Sequence, residues 1–235
     1  MARDRDFTTV GRALAAPARS VFVNLLMDGT TRPAGELAHA AGVSPSTASE
    51  HLGVLVDAGL VRCEPRGRHR YYALAGPDVA TALEALGGLT GDAPVTSLRR
   101  SREAERLAGA RFCYDHLAGR LGVALTDAWV ERGWLADSDT LALTAVGSDG
   151  LRGIGVDVDA AVGGRRATTR ACTDWTERRP HLAGALGAAV GARFLRAGWV
   201  VRAPAGRGVR VTPTGLDMLR TAWGIDSDIA LPTAG

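Results

Sequence analysis

RPAGELAHAAGVSPSTASEHLGVLVDAGLVRCEPRGRHRYYAL, residues 32–74, decides how the first third of the chain folds. Leu37, Ala38 and Ala41 recur at helical spacing, and the small Ala38 lets a second helix cross closely. Gly42 stands where a helix can end in left-handed backbone, a conformation glycine adopts without a Cβ penalty. Ser44 offers an N-cap hydroxyl. Pro45 suits the first helical position, where its missing N–H would have had no intrahelical partner. Ala48, Leu52 and Leu55 then mark the apolar stripe of a second helix. After Gly59 the period falls to two. Residues 60–64 and 69–74 read as strands joined through PRGR, with Gly67 in the turn. The order is helix, tight turn, helix, hairpin.

The surface this leaves is informative. Opposite the apolar stripe the second helix carries Ser46, Glu50 and Gly53, flanked by Thr47 and Ser49. Short polar side chains suit a helix that lies close in a major groove. The hairpin tip presents Arg66, Arg68 and Arg70 with His69 and Tyr71 among them, a set fitted to phosphate or minor-groove contacts. Arginines in a turn also serve simply to keep it soluble, so the tip alone decides nothing. Helix-turn-helix and basic hairpin together predict binding to double-stranded DNA through Ser44, Ser46, Thr47, Ser49, Glu50, His51, Arg66, Arg68 and Arg70.

GRALAAPARSVFVNLLMDG, residues 11–29, followed by the stretch above, resembles the winged-helix regulators of the ArsR/SmtB type. Ala15, Pro17 and Arg19, then Ser46, Ser49, His51 and Leu52, then the Ala-Gly-Leu-Val of residues 58–61 carry the likeness, which spans about residues 7–90. It implies a homodimer on an inverted-repeat operator that represses transcription until an inducer binds. Two-fold symmetry would set the paired helices about one DNA turn apart. Both familiar metal sites of that family are missing. The helix before the recognition helix reads ELAHAAG, with His39 but no Cys-x-Cys, and the helix after the wing has Asp78 and Glu84 but no histidine. Glu50 stands where many relatives have a basic or amide side chain, and it can accept a hydrogen bond from cytosine N4. Cys63, at the base of the wing, is expected to be a small buried residue.

Composition sets wider bounds. A chain of 235 residues holds one large domain or two small ones, and 46% hydrophobic with 23% charged residues is an ordinary globular balance. Arginine, aspartate or glycine interrupts every apolar run before it could span a membrane. MARDRDFTTV has acidic residues and no apolar core, so no secretory signal is expected. Three cysteines make an odd, sparse set, which fits a reducing compartment, the cytoplasm by default. The net charge is only +3, and all 28 basic residues other than histidine are arginine. That bias fits a GC-rich coding sequence as well as a phosphate-binding surface.

The remainder predicts a second domain. GGLTGDAPVTS, residues 87–97, reads as a linker between a domain at 1–86 and another at 98–235. Residues 98–135 look mainly helical, with Leu107, Tyr114, Leu117 and Leu121 at helical spacing, and 141–144 is a strand candidate. HLAGRLGVALTDAWVERGWL from His116 lies without a gap over HLAGALGAAVGARFLRAGWV from His181. Further on, Thr144 and Thr212 are matching helix caps. Such ordered self-similarity points to a duplicated unit, at about 105–160 and 165–225. Each copy is expected to run helix, helix, Gly-Trp, strand, Thr cap, helix, a degenerate winged helix with few polar groups for reading DNA. The expected fold is thus mainly α with small β hairpins (α+β): a winged helix-turn-helix and a sensing or dimerising domain. The phrases CYDHLAG and DWTERRPHLAG resemble the C-terminal extensions of longer ArsR-type regulators, which implies a regulator without naming its inducer.

Each copy also places a Cys-x-Asp ahead of its HLAG. Cys113 and His116, at i and i+3, would share one helix face, with Asp115 turned partly away. If the copies pack about a pseudo-two-fold axis, Cys113, His116, Cys172 and His181 make a Cys2His2 set for a zinc-like or thiophilic metal ion. The two thiols alternatively form a regulatory disulfide, or all four residues are core that duplication preserved, with no cofactor at all. Trp129, Trp134, Trp175, Phe194 and Trp199 could instead line an apolar ligand pocket. An enzyme using Cys113 or Cys172 with a histidine base is a further class. It is not expected, because no nucleophile elbow, phosphate loop or cofactor fingerprint occurs. A dimeric scaffold without any ligand is the third.

Overall fold

The computed structural model describes residues 7–89, 98–204 and 206–226, and it divides into two compact units, Met1–Ala80 and Thr81–Gly235. The first unit opens with α1 (Thr8–Leu14) and α2 (Pro17–Leu26), the latter with proline in its first turn. Next come β1 (Arg32–Pro33), α3 (Ala34–Ala41) and α4 (Pro45–Asp57). The tight turn forms as the residues predict. Gly42 has φ 66°, and the Thr47 N–H donates to Ser44 Oγ at 3.2 Å. Leu37, Ala38, Ala48, Leu52 and Leu55 are buried, closing α3 against α4 over Phe22 and Leu26 of α2. β2 (Val61–Arg66) and β3 (His69–Leu74) form the antiparallel wing, and β1 joins it to give the order β1-β3-β2. Gly67 starts the two-residue turn at φ 59°, the position where a type II′ hairpin needs glycine. This is a winged helix-turn-helix.

α5 (Pro77–Leu89) follows the wing, so residues 87–89 are helix where the glycines suggested linker. The rest of the expected linker, 90–97, lies outside the described residues.

The second unit mixes helix and strand. α6 (Leu98–Gly109) leads to β4 (Arg111–Cys113), β5 (His116–Ala118) and α7 (Gly119–Glu131). α8 (Ala145–Gly153) and α9 (Val158–Gly163) precede β6 (Arg170–Thr173), β7 (Pro180–Ala183) and α10 (Gly184–Arg196). β8 (Val200–Arg202), β9 (Val209–Val211) and α11 (Pro213–Trp223) complete it.

Residues 98–135 are mainly helical, as expected, but the β4–β5 hairpin separates α6 from α7. Two details depart from expectation. Leu107 lies on α6, Tyr114 in a turn, Leu117 on β5 and Leu121 on α7, so their helical spacing is accidental. Tyr114 takes φ 61° between paired strands, which breaks any helix. Nor is 141–144 a strand: Leu141 has φ 51°, and only a single bridge, Leu135 to Leu143, forms.

Corresponding residues in the two halves do the same work. Gly119 and Gly184 start α7 and α10 at φ 75° and 85°. Thr144 Oγ1 donates to the Gly133 carbonyl at 2.6 Å and caps α8, and Thr212 Oγ1 donates to the Gly198 carbonyl at 2.7 Å and caps α11. The halves also interlock, since α7 packs on β7 and α10 on β5. Their shared core includes Phe112, Leu121, Trp129, Leu186, Phe194 and Trp223. Burying each such side chain contributes about 1.5–3 kcal/mol.

Candidate nucleic-acid interface and a buried Cys-His cluster

On the first unit the sequence-chosen residues divide. Ser44, Ser46, Ser49 and Glu50 are exposed along α4, and Thr47 is half-buried. Ser44 Oγ lies 2.9 Å from both Ser46 Oγ and Thr47 Oγ1, and Ser49 Oγ donates to the Pro45 carbonyl at 2.9 Å. Arg68 and Arg70 are exposed on the wing, bordering with Ser49 a groove of about 350 Å³. Arg66 is more tied down, donating to Glu64 at 2.8 Å with its guanidinium 5.1 Å from the Tyr71 ring centroid. The hydrogen bonds from Arg66 and Arg62 hold the Glu64 carboxyl below its ordinary pKa.

His51 does not belong with these. It is half-buried, its Nδ1 is 3.0 Å from Arg19 Nη1, and its ring meets Phe22 edge-on at 6.5 Å. A guanidinium only donates, so Nδ1 is the acceptor. Arg19 also donates to the Ala13 carbonyl at 2.5 Å and the Arg12 carbonyl at 2.7 Å, tying α1, α2 and α4 together. Arg19 and His51 are a helix clamp. Cys63 departs the other way and is exposed, because the wing leaves the core after Val61.

In the second unit Cys113 and His116 are paired not across a helix turn but across the hairpin β4–β5, as direct register partners. Cys172 and His181 are register partners in β6–β7. Directly opposed residues of an antiparallel pair project from the same face. Each hairpin therefore offers one sulfur and one imidazole. The six residues 174–179 between β6 and β7 form the loop of the second hairpin. All four residues are buried, and their ligand atoms lie within 4.8 Å of one another. The imidazole centroids are 5.1 Å apart. Small residues make this approach possible: a Cβ on Gly187 would stand 3.1 Å from His116 Cβ, and one on Gly122 would stand 3.6 Å from His181 Cβ.

Each histidine has an aspartate from its own Cys-x-Asp. His116 Nδ1 lies 3.3 Å from Asp115 Oδ1, and Asp115 is itself paired with Arg166, so it does not turn away. His181 Nδ1 lies 3.6 Å from Asp174 Oδ2. Asp174 also accepts from Gly119 N at 2.6 Å, Thr176 N at 2.9 Å and Arg111 at 2.8 Å. The Nε2 atoms of both histidines, and His181 Nδ1 as well, are buried without a hydrogen-bond partner. The Cys172 contact and burial push the Cys113 thiol up to about 12. Burial would lower His116, but Asp115 and the nearby Cys113 sulfur outweigh it and raise it to about 9. Burial, with His116 alongside, lowers His181.

Arg111, which the sequence reading did not single out, is wholly buried and donates to Glu84 at 3.0 Å as well as to Asp174. Arg207 meets the other Glu84 oxygen at 3.1 Å. The repeated Cys-x-Asp was the available signal for Asp174; an arginine beside Phe112 gave none.

The five aromatic residues do not form the expected pocket as a set. Trp129 stacks on Trp134 at 6.3 Å, Phe194 meets Trp199 edge-on at 5.1 Å, and Trp223 joins the two groups. Trp175 stands apart, 5.0 Å from the Arg111 guanidinium. The gap that Trp129 borders is about 10 Å³, close to the size of one water.

Among the described residues no helix is long and apolar enough to cross a membrane. Residues 14–64 match the helix-turn-helix domain family. Over 211 residues, 89% of this chain and 93% of the relative, the chain is 43% identical to the uncharacterized HTH-type transcriptional regulator YdfF of Bacillus subtilis. It is 40% identical over 84 residues to the HTH-type transcriptional regulator CmtR of Mycobacterium tuberculosis, covering 36% of this chain and 70% of that protein. Among solved structures, the homodimeric winged helix-turn-helix domain of Mb0332 from Mycobacterium bovis, a possible ArsR-family regulator, is 32% identical with a TM-score of 0.32, covering 37% of this chain and 86% of that one. These relatives are named as regulators, not as enzymes. With the helix-turn-helix and wing of the first unit, the likeness to YdfF along nearly its whole length places this chain among the HTH-type transcriptional regulators, as a DNA-binding protein.

Proposed function

We propose that the protein is a homodimeric repressor that binds an inverted-repeat operator in the cytoplasm and is released when an inducer acts on its C-terminal unit. The observation that carries this is the exposed row Ser46, Ser49 and Glu50 on α4 beside Arg68 and Arg70 of the wing. The hydroxyls and Glu50 meet base edges, with Glu50 accepting from a cytosine amino group. Arg68 and Arg70 take phosphates, and Arg66 joins them only by leaving Glu64. The C-terminal unit is two copies of one degenerate winged-helix-like unit, with Thr144 and Thr212 as matching caps in support. Most of α7 and nearly half of α10 is buried, which suits them to packing rather than to a groove. An inducer can release DNA only by binding the two conformations with different affinity.

The test is footprinting of the full chain on the DNA upstream of its own gene, with Glu50→Ala and Ser49→Ala alongside. Protection of two half-sites about one helical turn apart is expected, with altered base preference in Glu50→Ala. Protection of a single unrepeated site, or none, would contradict the reading.

A further inference from the structure

The geometry points to a closed Cys2His2 site in which Cys113, His116, Cys172 and His181 hold one thiophilic divalent cation of the zinc class between the two hairpins. The donors come from separate strands of β4–β5 and β6–β7, yet they converge within 4.8 Å, and all are buried. A tetrahedral set at bond lengths of about 2.0–2.3 Å has its ligand atoms roughly 3.3–3.8 Å apart. An ion thus needs them to close by about 1.5 Å at most. Two thiolates would neutralise a divalent charge, and the absence of carboxylates among the four donors disfavours calcium and magnesium.

The histidines carry the choice between readings. Both Nε2 atoms are buried with no hydrogen-bond partner, and His116 Nδ1 meets the Asp115 carboxylate at 3.3 Å. That is the arrangement of a metal-bound histidine, whose second nitrogen is oriented by an outer carboxylate. His181 Nδ1, 3.6 Å from Asp174, is a further buried nitrogen without a hydrogen bond. A Cys113–Cys172 disulfide would use the sulfurs and still leave both imidazoles orphaned. A purely apolar core would leave all four groups unexplained. The ion would pin the two halves of the C-terminal unit together where α7 packs on β7 and α10 on β5. Neither Glu84 nor His39, the residues nearest to the family positions considered above, is among the four donors.

The experiment is cobalt titration of the reduced, chelator-treated full chain, followed by competition with zinc. One cobalt per chain is expected, with the intense ligand-field bands of a tetrahedral ion and thiolate-to-cobalt charge transfer, both lost as zinc displaces it. Cys113→Ser and His181→Gln should each weaken binding by more than about 100-fold, and Asp115→Asn by about 10–100-fold. Cys63→Ser should bind as the wild type does. Circular dichroism reports whether each variant is folded. If a ligand variant is not, the wild-type and Cys63→Ser spectra decide alone. Weak octahedral bands, no cobalt at equimolar protein, thiolate bands lost in Cys63→Ser, or unchanged affinity in folded ligand variants would each overturn the site. The titration contains no DNA, so failure of operator binding leaves its outcome untouched.

Discussion

Gly147 and Gly215 occupy corresponding places in the two halves, and neither tolerates a side chain. A Cβ would stand 2.0 Å from the Trp134 carbonyl oxygen at the first and 2.1 Å from the Trp199 carbonyl oxygen at the second. Both obstacles are backbone, which cannot swing aside. Gly147→Ala is therefore expected to destabilise the protein by about 3 kcal/mol, at the upper end for overpacking. Gly53→Ala, on the exposed face of α4 with nothing within 4 Å, should be neutral or stabilise by up to about 1 kcal/mol. Urea unfolding of the two variants checks both, and equal midpoints would refute the packing described. Single residues were legible in the sequence where one physical rule governs them. Gly42, Ser44 and Thr212 are caps because backbone geometry demands caps. His51 was not legible, since a polar residue on a recognition helix faces DNA or a neighbouring arginine according to tertiary packing alone.

Elements were legible in proportion to how local their cause is. The wing follows from alternation and Gly67. The hairpins that bring the cysteines to the histidines do not, because strands of three or four residues are too short for a period to register. The sequence did identify the four residues that converge, through the internal repeat, while misplacing the first pair on one helix face. The wing carries its own prediction: Arg68→Ala and Arg70→Ala should each lower the salt slope of operator binding by about 1 while weakening all sequences alike. Fluorescence anisotropy across a salt series measures it, and an unchanged slope in both would remove the wing from the interface.

α5 and β4 share a buried ionic link that sets a pH dependence. Burial alone would raise Glu84, but Arg207 and Arg111 hold it below its ordinary pKa. A carboxylate depressed in the folded state contributes stability that is full above its unfolded pKa of about 4.3 and is lost as pH falls through the folded value. Glu84→Gln should then cost about 3 kcal/mol near neutral pH, with the gap to wild type closing below about pH 4. Urea unfolding against pH checks this, and a gap that stays constant into acid would contradict the pairing.

At the scale of the whole molecule, two compact units share one chain. The first was legible almost entirely, since its helix-turn-helix and wing are fixed by caps, turns and short-range periodicity. In the second, the repeat, its threonine caps and the four cysteine and histidine residues were legible, but not how they pack. Interlocking of α7 with β7 and α10 with β5 is a long-range outcome that no local pattern announces. The central claim is that this chain reads DNA through α4 and the wing. The direct measurement is affinity of the full chain for its own upstream DNA against a scrambled duplex over a range of salt. A log–log slope of about −0.9 per phosphate neutralised is predicted, with tighter binding to the upstream DNA by about 10³-fold or more. Equal affinity for both duplexes, or binding that ignores salt, would contradict the account.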